Sequence, residues 1–260
     1  MGFRLWPKVY TTIKTPKNSL NSEGFSTLPT HLDSFKAVFF DVGGTLLTPH
    51  PSVGHIYLEQ AIPFGFTGSA DDLNFHFRRA WKALGGMESL GQKKGLEVER
   101  RYWRDVVKRT FDACGGVDDF ENCFENIYDA FRSRDAWRLY EDVVESRLVE
   151  RLKDKGVVLG IVSNWDSRLK EILDNLEIGH HFDFVLASTV IGSAKPDPLI
   201  FEKALQLSGT SPDQTIHIGD EPSTDITGAR NLGIDAILID RKNRYPDCDA
   251  KTISSFMELV

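Results

Sequence analysis

Five short apolar runs punctuate the chain, at residues 36–41, 157–163, 184–188, 215–219 and 236–240. None alternates cleanly between apolar and polar positions, which is the pattern of parallel strands covered on both faces. Between the later runs, apolar residues recur at helical spacing. Residues 141–155 carry Val143, Val144, Leu148, Val149 and Leu152, and residues 166–177 carry Leu169, Ile172, Leu173 and Leu176. The stretch "KPDPLIFEKALQLSG" predicts a helix with Asp197 as N-cap, Pro198 at the first helical position and Gly209 as stop. Residues 223–232 predict another, closed by Gly233. This alternation predicts an α/β fold, a doubly wound parallel sheet with right-handed crossovers.

Residues 51–135 break the alternation and contain no strand pattern. "DDLNFHFRRAWKAL", "EVERRYWRDVVKRTFDAC" and "DDFENCFENIYDAF" read as amphipathic helices. A helical unit inserted straight after the first strand is expected to be a cap over the strand ends, with Pro49 and Pro51 at the crossing. The expected organisation is an N-terminal extension over 1–34, a core made of 35–50 and 136–260, and a helical cap over 51–135.

Composition narrows the class without naming a function. The chain has 260 residues, long enough for one core and one inserted unit, and a net charge of −7. That balance argues against a general nucleic-acid binder or a partner of anionic membranes. No apolar run approaches the roughly 20 residues of a membrane helix. The three cysteines form no metal-type pair, which favours a reducing compartment such as the cytoplasm. Residues 1–34 are basic and hydroxyl-rich, with no acid before Glu23, and also fit a mitochondrial or plastid transit peptide, although Pro7 and Pro16 interrupt any long helix.

In open α/β sheets, ligands bind at the carboxyl ends of the strands. The polar residues that follow the first four apolar runs are Asp41; Ser163 and Asn164; Lys195; and Asp220, Glu221 and Asp225. One sheet edge thereby gathers carboxylates, a hydroxyl and a lysine. Such a set suits transfer of a phosphoryl group to Asp41, followed by hydrolysis of the aspartyl-phosphate. The obstacle is an anion attacking an anion, a repulsion of about 4 kcal/mol at 4 Å and an effective dielectric near 20. Lys195 cancels part of it. A divalent cation held by Asp41 and Asp220 would cancel the rest, and an all-oxygen donor set favours Mg²⁺. Asp225, and with it Glu221, would stand behind that ion. Thr45, Ser163, Asn164 and the backbone N–H groups of residues 42–44 are candidates to hold the phosphate.

These residues resemble the haloacid dehalogenase-like hydrolases. Four motifs stand in that family's order, "FFDVGGTL", "VSN", "KPDP" and "GDEPSTD", and the resemblance runs from Phe35 to the C-terminus. "DVGGTLLTPHPSVGHIY" is similar to the branch of rhythmically-expressed-gene-2-like and domain-containing-protein-3-like hydrolases. The resemblance implies a Rossmann-like core with an inserted helical cap. It implies Asp41 as nucleophile, and Ser163 and Lys195 as phosphate contacts. It further implies Mg²⁺ at Asp41, the Gly43 carbonyl and Asp220, with Asp225 in the second shell. A small anionic substrate, and a monomer or dimer, are the expected partners.

One position departs from the family's phosphatases. They carry a second aspartate where this chain has Gly43, and that acid protonates the leaving oxygen. Its loss removes roughly 10²–10⁴ in rate on poor leaving groups. The expected activity is therefore a slow or selective phosphatase. A dehalogenase, a phosphonate hydrolase and a non-catalytic binding protein are the alternatives; the retained Asp220/Asp225 pair argues against the first of these, and no cap lysine is identifiable for the second. His50, His55, Glu221 and the cap are possible sources of a replacement acid. Lys93 and Lys94 read as solvated loop residues, Trp81, Tyr102 and Trp103 as cap core, and His217 as a structural histidine.

Overall fold

The computed structural model describes residues 32–260. The transit-peptide expectation for the N-terminal extension falls on residues outside that range, apart from Leu32–Ser34, a short turn whose Leu32 is buried in the core.

From that turn, β1 (Ala37–Phe40) leads through β2 (Leu47–Pro49) into four helices: α1 (Val53–Ala61), α2 (Ala70–Leu84), α3 (Leu96–Asp112) and α4 (Phe120–Ala130). The chain returns in β3 (Trp137–Leu139) and runs on through α5 (Glu141–Ser146), α6 (Leu148–Asp154), β4 (Val158–Ser163) and α7 (Leu169–Asn175). Then come β5 (Phe184–Ala187), α8 (Ser188–Ile191), α9 (Pro198–Ser208), β6 (Thr215–Gly219), α10 (Thr227–Arg230), β7 (Asp235–Ile239) and β8 (Lys251–Ile253). Six strands form one parallel sheet in the order β5-β4-β1-β6-β7-β8. The architecture is the expected Rossmann-like one, with a helical cap inserted after the first strand.

β1 explains the uniformly apolar runs. All four of its residues are buried, but they face opposite ways. Val38 and Phe40 join one hydrophobic layer with Leu148, Leu173 and Phe256, while Ala37 and Phe39 join the other with Phe201, Ile226 and Leu238. A strand packed on both faces has no polar position to alternate with. The cap has its own core, built on Tyr57, Leu73, Phe111, Phe124 and Ile127. The two chain crossings between core and cap are β2 and β3, which pair antiparallel, Leu47 opposite Leu139.

The structure corrects the sequence reading in several places. Residues 141–155 form two helices, because Arg147 adopts a left-handed φ of 50° between α5 and α6. The segment 223–232 begins as a π-helical turn, Pro222–Ile226, before α10. The strands β2, β3 and β8, three residues each, and the helix α1 were not expected. The α9 boundaries agree with the sequence: the Asp197 side chain accepts from Leu199 N at 3.0 Å, Pro198 opens the helix, and Gly209 ends it at φ 66°. Removing that cap by Asp197→Ala should cost about 1 kcal/mol. The check is a lower urea midpoint with an unchanged slope; an unchanged midpoint would mean the cap contributes nothing.

Candidate active site

The loop after β1 turns back tightly. Val42 O accepts from the N–H groups of Thr45, Leu46 and Leu47. Gly44 sits there at φ +81°, and a β-carbon on it would run into the Asp220 carboxylate. Glycine is thus required twice over, by the backbone conformation and by the close approach of the β6 loop. Arg241, just after β7, ties this turn down: it donates to Gly44 O at 2.7 Å and Thr45 O at 2.9 Å, and pairs with Asp142 at 3.0 Å.

The turn leaves Asp41 at the carboxyl end of the central strand, buried yet lining a cavity of about 460 Å³ between core and cap. Its Oδ1 accepts from Ser163 Oγ at 2.8 Å and Lys195 Nζ at 2.7 Å, whereas Oδ2 has only a long 3.4 Å bond from Thr45 Oγ1. Lys195 Nζ also contacts Asp225 Oδ1. Asp225 in turn accepts from Glu221 N at 3.1 Å and lies 2.9 Å from His217 Nε2. Asn164 has both amide atoms on the Lys195 backbone, donating to its carbonyl at 2.9 Å and accepting its N–H at 2.7 Å. It therefore fixes the lysine's position. Asp220 is held at the rim by Arg244, 3.0 Å away.

Charge and burial set the protonation. Burial raises the Asp41 pKa, with Lys195 pulling the other way. Burial disfavours the Lys195 ammonium, but Asp225 and Asp41 outweigh it and its pKa is raised. Burial likewise opposes ionisation of Asp225, but Lys195 and His217 hold it well below the ordinary carboxylate range. Burial, Asp41 and Asp225 push Asp220 up to about 7 against the pull of Arg244. Carboxylate oxygens of Asp41, Asp220 and Asp225 lie within 4.8 Å of one another. Three hard oxygen donors this close, with Asp220 pushed up by burial and by its two neighbours, fit a small divalent cation.

All the residues singled out after the first four strands converge here. His50, His55, Lys93 and Lys94 do not line the cavity, and His55 is bonded to Ser52 Oγ at 2.8 Å. Trp81 and Trp103 do line it, while Tyr102 packs behind them. His217, expected to be structural, contacts Asp225. Sequence reasoning missed Trp165, Arg168, Arg241 and Arg244. The rule used for the other strands, reading the polar residues after each run, would have found Arg241 after 236–240.

The cap is latched to the core beside this cavity. Glu99 on α3 is buried and accepts from Ser167 N, Ser167 Oγ and Thr189 Oγ1. Asp166 accepts from the Trp103 indole N–H at 2.6 Å and pairs with Arg168, which donates to Tyr128 O on α4 at 2.8 Å.

A carboxylate at the end of the central strand, a buried lysine and an acidic cluster at the mouth of a capped Rossmann-like sheet define a class of hydrolase. The sequence profile of haloacid dehalogenase-like hydrolases matches residues 35–233, and the chain belongs to that family. It is 34% identical over 212 residues to haloacid dehalogenase-like hydrolase domain-containing protein 3 of Bos taurus, covering 80% of this chain and 83% of that one. It is 33% identical over 166 residues to phosphoserine phosphatase of Thermus thermophilus, covering 64% and 63%. A HAD-hydrolase structure from Bacillus subtilis, bound to magnesium, matches with a TM-score of 0.70 at 17% identity, over 86% of this chain and 96% of that one; at that identity it speaks for the fold.

The Asp220 pKa carries a sign. In metal-free protein the folded state binds an extra proton between the ordinary 3.8 and about 7. Stability should therefore fall as pH rises through that window, since the folded form loses a proton the unfolded form has already lost. Chelated protein should show its denaturant midpoint decline from about pH 4 to about pH 7, Mg²⁺ should restore it, and Asp220→Asn should flatten the slope. A slope that survives Asp220→Asn unchanged would contradict the assignment.

Proposed function

We propose that this chain is an Mg²⁺-dependent phosphohydrolase that works through an aspartyl-phosphate on Asp41. The observation that carries the reading is the asymmetric Asp41 carboxylate: one oxygen is gripped by Ser163 and Lys195 at 2.8 and 2.7 Å, while the other is left nearly free beside the cavity. A carboxylate so oriented has a lone pair available in a fixed direction. The phosphatase among the relatives, and the magnesium in the Bacillus subtilis structure, support it.

The chain's own residues supply most of the step. A substrate phosphate lodges against Ser163 Oγ, Lys195 Nζ and the N–H groups of Val42 and Gly43, the Gly44 N–H being taken by Leu47 O at 3.0 Å. An Asp41 oxygen attacks phosphorus, and the bond to the leaving oxygen breaks. Water then attacks the phosphorus of the aspartyl-phosphate and frees Asp41. Lys195 lowers the repulsion between carboxylate and phosphate, and Asp225 with His217 keeps its ammonium aimed at the site. Asp41, Asp220 and the Gly43 carbonyl, with Asp225 behind them, would hold Mg²⁺, whose charge when bound screens the remaining repulsion. Among the described residues Lys195 is the one lysine lining the cavity, so a phosphonate hydrolase's cap lysine has no counterpart.

Asp41→Asn should abolish phosphate-ester hydrolysis, because an amide cannot form the acyl-phosphate bond; turnover persisting in that variant with Mg²⁺ present would remove Asp41 as nucleophile. Asp220→Ala should lose activity and Mg²⁺ dependence together, and chelator treatment of the native protein should mimic it. Haloacid turnover indifferent to chelator would instead establish the dehalogenase chemistry.

A further inference from the structure

The Gly43 departure has a structural partner. Gly43 is not among the residues with positive φ, so its backbone tolerates a side chain. The space beside it does not. A β-carbon at position 43 would lie 3.1 Å from Cζ3 of Trp165, tighter than ordinary van der Waals contact. The indole thus stands against the position from which an acid at 43 would project. Two further carboxyls of the lining lie outside the Asp41–Asp220–Asp225 cluster, Glu221 and Glu88. Glu221 accepts from Tyr245 Oη at 2.7 Å and from Ser223 Oγ at 3.2 Å. Glu88, on the cap, is the remaining carboxyl in the cavity lining, with its pKa raised by burial and by Glu221.

Trp165 also ends a run of rings. Phe131, Trp137 and Trp165 touch in sequence, with centroids 5.6 and 5.1 Å apart. Phe77, Trp81 and Trp103 make a second run, at 6.1 and 5.3 Å. All six line the cavity and all six keep part of their surface exposed with the cap latched. Large rings left partly uncovered around a cavity of about 460 Å³ favour a ligand that covers them. The cavity lining therefore favours a flat apolar group, and the absence of an acid at position 43 favours a leaving oxygen that departs without a proton.

We infer that the substrate is a phosphate monoester of a planar aromatic alcohol, a phenol-type hydroxyl seated between the two runs of rings; this rests on the phosphohydrolase reading above. Asp41 forms its bond to phosphorus as the P–O(aryl) bond breaks, and the electron pair leaves on the aryl oxygen as a phenolate. Water then adds to the aspartyl-phosphate, returning the Asp41 carboxylate and inorganic phosphate, and the proton balance closes when the phenolate takes a proton from solvent. A phenolate needs no acid to depart, whereas an alkoxide does, by roughly the 10²–10⁴ that a general acid contributes.

The test is kcat/KM at saturating Mg²⁺ for 2-naphthyl phosphate, nitrophenyl phosphate, hexyl phosphate and acetyl phosphate, each in the native protein and in Asp41→Asn. The expected result is Asp41-dependent turnover of both aryl esters, with hexyl phosphate slower by roughly 10²–10⁴. Trp165→Ala should lower the ratio of naphthyl to acetyl phosphate turnover by about tenfold or more, the loss of roughly 1.4 kcal/mol of ring contact. Gly43→Asp combined with Trp165→Ala, which opens room for the carboxyl, should narrow the aryl–alkyl gap more than Gly43→Asp alone. Acetyl phosphate turnover without aryl turnover overturns the aromatic substrate and leaves the phosphohydrolase standing. No Asp41-dependent turnover of any of the four overturns the phosphohydrolase itself. Hexyl phosphate turned over as fast as the aryl esters overturns the inference, and a selective loss of that activity in Glu88→Gln would identify the acid.

Discussion

A buried ammonium between two buried carboxylates is the interaction on which this site hangs. Lys195 Nζ bridges Asp41 and Asp225, and all three side chains are almost wholly removed from water. Burying an unpaired charge is costly, and removing one member of such a set typically costs 3–5 kcal/mol. The fold therefore over-determines Lys195. Asn164 clamps its backbone from the β4 loop with two hydrogen bonds, and His217 backs Asp225 from within β6. Three strands of the central sheet thus meet at one charge. The same cluster still carries more negative than positive charge at its centre, which is the electrostatic reason for an added cation and adds to the burial that raises the pKa of Asp220.

Much of this was legible in the sequence because strand ends are topologically informative. In a parallel sheet every strand delivers its carboxyl end to the same edge, so Asp41, Ser163 and Asp220 can be listed without coordinates, while Lys195, beyond α8, is marked by the "KPDP" motif. The long helices of the cap were visible by their periodicity, and α9 by its capping residues. What escaped was set by contacts distant in sequence. β2, β3 and β8 are three residues long, too short to show a period. Residues 141–155 keep a helical pattern across the break at Arg147, since α5 and α6 both pack on the same core layer. Trp165 carries no sequence signal at all: its meaning depends on the missing side chain at Gly43, more than a hundred residues earlier.

Buried polar contacts fasten the cap to the core. Glu99 and Asp166 are both buried acids whose partners lie across the core–cap divide or link to residues that do. Such hydrogen bonds are exchanged readily for water when the surfaces part, so they specify one closed geometry without locking it. The turn after β1, by contrast, is braced by Arg241 and Asp142, both of the core, with no contribution from the cap.

The placement of the aromatic rings has an optical consequence. Of the five tryptophans in the chain, Trp6 lies outside the described residues, and the other four, Trp81, Trp103, Trp137 and Trp165, all line the one cavity. Indole emission from the described residues therefore originates at the walls of the chamber. Trp81 and Trp103 ride on the cap, whereas Trp137 and Trp165 belong to the returning strand and the β4 loop. Any change in the hydration of these rings would shift their emission, so the walls of the chamber carry their own fluorescent reporter, with no label to attach.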